Sequence, residues 1–497
     1  MAGPQLISAK CPTCGASLPV PPGIPQVTCR YCQNVIHVEH RKPPPGIVPF
    51  GAPGAMPSRT LYVDPEGAAK AGKTAGCFIV LMILVPILIP VMIGVVPWAL
   101  RTFKSKVKPF PVACSTNEEL ELSGDWSGTG PIITEVGHNC KIHIKNAKLK
   151  GTTLVKTGAY NLELTLDNVT IETTEALLKS GANVKTKIHK STLKSAGTVF
   201  ESDSNMEFLE LEDSTIESTG GVAFKAQYNL KINAENTKIR GKKAAITSDA
   251  NFKLTMKRGT EITSSEGIAI KTGSNFKLEA DGGKIEGPDG AVVTESGMGV
   301  EAHGLTLAST KESAITATSG LKLDFKDGTI TAGAAAAITA DSAALELSNA
   351  RLTGAENGLN LKNGAKLKAT KKTRIVGTTG FGVVTTSNGD IQLNDASIEG
   401  GTLGFKGTVN TKLKLAQGAR LAGKRGGIEV EGNFELDGTG AAIDGGSGPA
   451  IKSGYNPKIV FKQGSIKGTP AILLDRKPIT LDLDGTRVDG EQRIPAR

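Results

Sequence analysis

From Asn117 to Arg497 the apolar and polar residues recur in one order. An Asn is followed by apolar, polar and apolar positions, then by a polar stretch with a lone Ile or Leu, then by a Gly and a short apolar run. The order repeats about seventeen times with a period of roughly 22–24 residues, a range that signals a solenoid. Two clear copies run from Asn251-Phe252-Lys253-Leu254 to Ile268-Ala269-Ile270 and from Asn275-Phe276-Lys277-Leu278 to Ala291-Val292-Val293. Each period holds three short strand candidates, residues 252–256, 260–263 and 268–271 in the coil from Asn251, with Gly, Asn, Asp and Ser between them as tight turns require. Strands stacked on copies of themselves run parallel. The prediction is therefore a mostly-β chain, with a right-handed parallel β-helix over residues 117–497. A left-handed β-helix would show a hexapeptide period, and none is present. About seventeen coils at about 4.8 Å each give a rod of roughly 80 Å.

The anchors of the repeat are Asn117, Asn139, Asn161, Asn183, Asn205, Asn229, Asn251, Asn275, Gly299, Gly320, Ala344, Lys366, Asp390, Asn410, Asn433, Asn456 and Pro478. Asn tolerates the left-handed backbone of a sharp turn, and its amide can bond to the amides above and below, as in stacked Asn ladders. A structural ladder is therefore expected along the eleven Asn anchors. Ile, Val, Leu, Phe and Ala are expected to stack inside, with the alanines at 334–337 marking a narrow interior.

The pattern changes before Asn117. Residues 77–100 are apolar and uncharged, long enough to cross a bilayer. Lys73 precedes them; Trp98, Arg101, Lys104, Lys106 and Lys108 mark the far end as interfacial anchors would. Pro86, Pro90 and Pro97 would kink this helix, which a membrane segment tolerates. A transmembrane signal anchor is predicted over 76–101, followed by a juxtamembrane connector over 102–116. A cleaved signal peptide fits poorly behind so long a leading segment. Residues 41–75 are rich in Pro, Gly and Ala and read as a semi-rigid linker.

Charge refines this picture. The chain carries a net +10, but residues 1–113 hold 11 Lys+Arg against 3 Asp+Glu, so only +2 remains for residues 114–497. Phosphate binding needs a basic stripe, which makes nucleic acid an unlikely partner for the repeat. Aromatics at 4% and 60 Gly suit short strands and tight turns more than a conventional packed enzyme.

The strongest chemical signal lies in residues 1–40. Cys11-Pro12-Thr13-Cys14-Gly15 and Cys29-Arg30-Tyr31-Cys32 are two CxxC knuckles at the spacing of a structural zinc site, with two disulfides as the alternative. Four thiolates on Zn2+ would close a tetrahedron and leave no open position for catalysis. The run Cys11-Pro12-x-Cys14-Gly15-x-x-Leu18-x-Val20-Pro21-x-Gly23, continued by Val27-x-Cys29-x-Tyr31-Cys32, resembles the zinc-ribbon fingers of the lesion-simulating-disease type and their bacterial relatives. It departs from them at Gln33, where Gly is usual. The resemblance implies a zinc-stabilised module that contacts protein or nucleic acid, and no enzyme. His37 and His40 are spare candidates for ligation but read better as solvated. Cys77 sits at the membrane edge. Cys114 and Cys140 flank the first coils and are a candidate disulfide, which would require an oxidising compartment.

The repeat resembles the right-handed β-helix class of pectate lyases, polygalacturonases, phage tailspikes and bacterial adhesins. The likeness is one of period and Asn/Gly punctuation, and no catalytic motif comes with it. Sixth after each anchor stand Lys145, Asp167, His189, Leu211, Glu235, Lys257 and Asp281, charges that alternate as a solvated face would. His143, His189 and His303 fall on separate coils, and Trp126 is the repeat's lone Trp. The best acidic patch is Asp281, Glu286 and Asp289, with Asp324 and Asp327 beyond it. The reading that results is a single-pass membrane protein, its zinc ribbon cytoplasmic and its rod periplasmic or extracellular. The rod would contact a polysaccharide, an envelope component or a protein along one face, and the ribbon a protein. The flanking charges do not decide the orientation; reduced zinc thiols and the Cys114–Cys140 pair favour it. The alternative is a membrane-anchored carbohydrate-active enzyme, a lyase or hydrolase. Self-association through the rod ends is a further expectation, because the segment from Pro478 has no amphipathic capping helix; the alternative is that Pro478, Pro495 and the charges of Asp482, Asp484, Asp489 and Glu491 block such stacking.

Overall fold

The computed structural model describes residues 109–155 and 160–495, together with four short strands near the N-terminus. Those four form two antiparallel hairpins: Ile7–Lys10 pairs with Ser17–Val20, and Gln26–Thr28 with Val35–His37. Cys11, Cys14, Cys29 and Cys32, the linker 41–75, Cys77 and the span 76–101 lie outside the described residues. No helix among the described residues is long and apolar enough to cross a membrane.

The second unit is a parallel β-solenoid of about seventeen coils. One coil shows how it is built. The strand Ala244–Met256 passes through Asn251, Glu261–Ser264 follows, and Ile268–Asp281 carries the chain through Asn275 into the next coil. The Asn corner bends the strand without interrupting it. Each coil thus has three faces: A just after the Asn (252–256), B in the middle (261–264) and C before the next Asn (268–274). Each strand pairs in parallel with its copy about one period away, as Phe252 with Phe276 on face A and Ile262 with Ile285 on face B.

Alternation decides which residues go inside. On face A, Leu254 faces inward and stacks on Ile232 below and Leu278 above, while Lys253 and Thr255 face out. The middle inward position of face B is an unbroken column of Ile and Leu from Leu149 to Ile466. Phe200 and Phe224 stack at 5.2 Å, with Phe208 edge-on to both, so large aromatics fill the interior of these coils.

The Gly of the repeat has a steric cause. It closes face B, where the chain turns sharply inward; a Cβ on Gly241 would sit 1.7 Å from the Ala244 carbonyl oxygen, and one on Gly400 equally near that of Leu403. Where Ser replaces Gly, its hydroxyl is used in the turn, as Ser264 Oγ accepts from Gly267 N–H at 3.1 Å. Two of the four alanines at 334–337 line the interior. Only Ala336 and Ala337 are buried, and Ala337 belongs to a face C column of small residues that continues as Gly358, Gly382 and Gly404.

The first face C strand, Val112–Cys114, pairs in parallel with Ile133–Val136. Cys114 is disulfide-bonded to Cys140 in the next coil, with Cα atoms 6.3 Å apart and both side chains buried. The last described coil consists of Thr480–Asp482, Arg487–Asp489 and Gln492–Arg493.

Candidate binding face

Two corners of every coil need a left-handed residue, and they border face A. The first is the Asn anchor, with φ between 50° and 61° at Asn117, Asn139, Asn161, Asn183, Asn205, Asn229, Asn251 and Asn275. Each amide from Asn139 to Asn275 donates from Nδ2 to the Oδ1 of the Asn one coil earlier, at 2.8–3.1 Å. The row resumes as Asn388, Asn410, Asn433 and Asn456. Between these stretches the corner is held by Gly297, Gly320, Ser342 and Gly364, all at positive φ. Gly299, Ala344, Lys366 and Asp390 therefore stand two residues past the corner, on face A itself.

The second corner lies about seven residues on, at Asn146, Asn168, Lys190, Asp213 and Asn236, and later at Asp327 and Asn349. It has its own short ladders, Asn168 to Asn146 at 2.8 Å, Asn236 to Asp213 at 2.7 Å and Asn349 to Asp327 at 2.6 Å. Its residues are too varied to stand out in the sequence, although the fixed offset from the first corner is a usable signal.

Between the corners, face A presents three outward columns. The first alternates in sign along Glu119, Lys141, Glu163, Lys185, Glu207 and Lys231, which are direct register partners. Lys141 pairs with Glu163 at 3.4 Å and Lys231 with Glu207 at 2.5 Å. The second column contains a row of four carboxylates, Glu279, Glu301, Asp324 and Glu346, on consecutive coils. Lys253 and Lys277 both reach Glu279, at 3.1 and 2.8 Å; the Lys277 and Lys253 hydrogen bonds hold its carboxyl below the usual range despite partial burial. This row escapes the sequence reading because it stands four residues past the corner, not six, and because the anchors read at Gly299, Ala344, Lys366 and Asp390 lie two residues past the true corners.

The third column carries His189 and His303, while His143 stands in the second, opposite Glu121 and Thr165. A bulge at Phe208/Leu211 puts Glu212, not Leu211, opposite His189, and Leu211 is buried. The bulge also aims Glu210 at Lys187 (2.5 Å) and His189 (3.1 Å); the Lys187 hydrogen bond, aided by His189, lowers the Glu210 pKa. His303 lies 3.4 Å from Asp281 and 3.1 Å from Asp327. The Asn349 hydrogen bond first, and His303 second, keep Asp327 below its ordinary value. The other acids of the sequence-level patch are scattered. Glu286 pairs with Lys284 on face B, Asp289 with Lys311 at the far corner and Asp324 with Lys326. Among the described residues no group of three or more His, Cys, Asp or Glu is placed to hold a metal ion.

Three surface grooves follow face A. One of about 530 Å3 runs from Asn161 to Lys253, one of about 580 Å3 from Asn275 to Glu346, and one of about 360 Å3 from Lys368 to Thr439. The middle groove is deepened where Gly299 and Ala344 stand in the lysine column. Face A can thus offer a long, shallow, polar track with a repeat of about 4.8 Å, the coil spacing. No family model, curated protein or solved structure matches the chain.

Proposed function

We propose that the chain is a single-pass membrane protein whose solenoid is an exported rod that binds an envelope or surface component along face A. The carrying observation is that three successive grooves, lined by charge-paired columns, follow face A from Asn161 to Thr439, whereas face B has a groove only at its first coils around Trp126 among the grooves described. Ligand contact of this kind is distributed, many weak polar contacts adding along the axis. The coil is read as right-handed, the sense that parallel crossovers within a sheet adopt almost without exception.

The membrane anchor is read from the apolar run 77–100 and the N-terminal zinc ribbon from the spacing of Cys11, Cys14, Cys29 and Cys32. Each CxxC falls, in sequence, between the two strands of a hairpin. The ribbon is placed in the cytoplasm, where its thiols stay reduced, and meets a protein there. The rod is placed in the oxidising periplasm or outside the cell, which suits the Cys114–Cys140 bond.

The test is retention of the full-length protein, in detergent, on isolated envelope material. Reversing the charges of face A at Lys277 and Lys322 should weaken retention, while reversals on face B at Arg351 and Arg374 should not. Equal loss from both faces, or none from either, overturns the assignment.

A further inference from the structure

The stretch of face A from Tyr160 to Asn251 has features that the rest of the rod does not combine. The amides of Asn161, Asn183, Asn205 and Asn229 are exposed, and the ladder uses one N–H and one oxygen lone pair of each. One N–H donor and further acceptor capacity per coil therefore remain for solvent or a ligand. On one side of this amide row stands Lys185. Its register neighbours Glu163 and Glu207 are engaged by Lys141 and Lys231, which leaves the Lys185 ammonium outside the ion pairs of the column. On the other side stand Tyr160 and Tyr228, each about half exposed and three coils apart in one register column, with only Ala182 and Ser204 between them. The Tyr160 ring lies over Gly181 so closely that a Cβ there would meet its Cζ at 3.2 Å, and the His138 ring of the coil before stands 5.6 Å from it, which holds the tyrosine in place with about half of its surface exposed.

We infer that this stretch binds a linear, uncharged glycan laid along the rod axis. The inference rests on the binding-rod reading above and names its ligand class. Hydroxyl groups donate and accept at once, which is what a free N–H beside a free lone pair calls for. The coil repeat of about 4.8 Å is close to the length of one hexose in an extended chain, so the same-side groups of a β-1,4 chain, which recur at every second hexose, keep step with every second coil, whereas same-side groups of an extended polypeptide recur about 6.8 Å apart and fall out of step with the amides. A sugar ring can pack against the exposed half of Tyr160 and another against that of Tyr228, about 14 Å away. The amide row and the tyrosine column carry no charge, and the one unpaired ammonium beside them, Lys185, stands between the carboxylates of Glu163 and Glu207, so no uncompensated basic stripe favours a polyanion.

The full-length chain, in a detergent without a sugar head group, is titrated with cello-, chito- and manno-oligosaccharides from dimer to hexamer, and with polygalacturonate. Affinity for at least one uncharged series should rise with length until the oligomer spans both tyrosines, and should be insensitive to salt. Tyr160→Ala with Tyr228→Ala should weaken it about tenfold, a change readily read in Kd. Tyr455→Ala, in the same kind of position far along the rod, should leave it unchanged and controls for folding. Absence of binding by every uncharged series overturns the inference, as does binding that ignores both tyrosines. Salt-sensitive binding of polygalacturonate alone does so too. A rod still retained on envelope material in any of these cases leaves the binding-rod reading standing and locates its contact elsewhere.

Discussion

Asn205 performs two tasks in one turn. Its backbone sits at φ 51°, and its amide bonds to Asn183 below and Asn229 above. Substitution separates the tasks. Asn205→Gly keeps the left-handed turn and loses the two amide bonds, so it should cost about 1–2 kcal/mol, at the level of two exposed hydrogen bonds. Asn205→Leu loses both and should lower the denaturant midpoint further, because a branched side chain resists positive φ. Equal midpoints for the two variants would show that the turn itself contributes nothing. Gly241 gives the complementary case, since Gly241→Ala drives a methyl into the Ala244 carbonyl. That change should cost at least about 1–3 kcal/mol, as overpacking does. Both residue types were legible in the sequence because one geometry recurs with one amino acid. The second corner was not, because Asn, Asp, Lys and Gly all satisfy it.

At the scale of strands and coils, stability passes only between neighbours, as in any solenoid. Cys114 and Cys140 close a separation of 26 residues at the first coils, and the chain-entropy account assigns such a link about 3.5 kcal/mol. Cys140→Ser should therefore speed amide exchange in the strands from Val112 to Gly151, while exchange around Ile391 and Leu413 stays unchanged. Uniform acceleration along the chain would contradict this nearest-neighbour picture. Acid should act at other coils. Glu210 has a lowered pKa in the fold, chiefly through Lys187, and Glu279 through Lys277 and Lys253. A depressed carboxyl pKa adds stability that is present above the unfolded value and lost as pH falls through the folded one. The melting temperature should thus drop below about pH 4, the ordinary Glu range. Glu210→Gln and Glu279→Gln together should flatten that slope and lower the plateau above it; a slope unchanged in the double variant would assign the acid sensitivity to other carboxylates. Strand positions and inward faces were readable from alternation. The column of Glu279, Glu301, Asp324 and Glu346 was not, because register depends on corners whose Asn gives way to Gly and Ser; the bulge at Leu211 hides for another reason, since an extra residue between the corners at Asn205 and Asp213 changes no residue type that marks the repeat.

For the whole chain, the decisive question is which side of a membrane each end occupies, and thiol chemistry asks it directly. Apart from the four CxxC cysteines and Cys77, the remaining cysteines are Cys114 and Cys140, which are joined to each other and buried. The rod is therefore silent to thiol reagents until a cysteine is placed on it. Glu356→Cys, at an exposed corner without an ion-pair partner among the described residues, serves as that reporter. In intact cells an impermeant maleimide should label the introduced rod thiol and leave the CxxC thiols unlabelled. After permeabilisation the CxxC thiols should react only once zinc is chelated, because a closed tetrahedral site shields thiolates from alkylation. Labelling of the N-terminal thiols in intact cells would reverse the orientation, and labelling of both ends would remove the membrane anchor from the reading. Fast reaction without chelation, with no zinc released, would replace the ribbon by free thiols. The same experiment bears on the rod's ligand: only a reporter thiol reached from outside puts face A where an envelope glycan can lie along it.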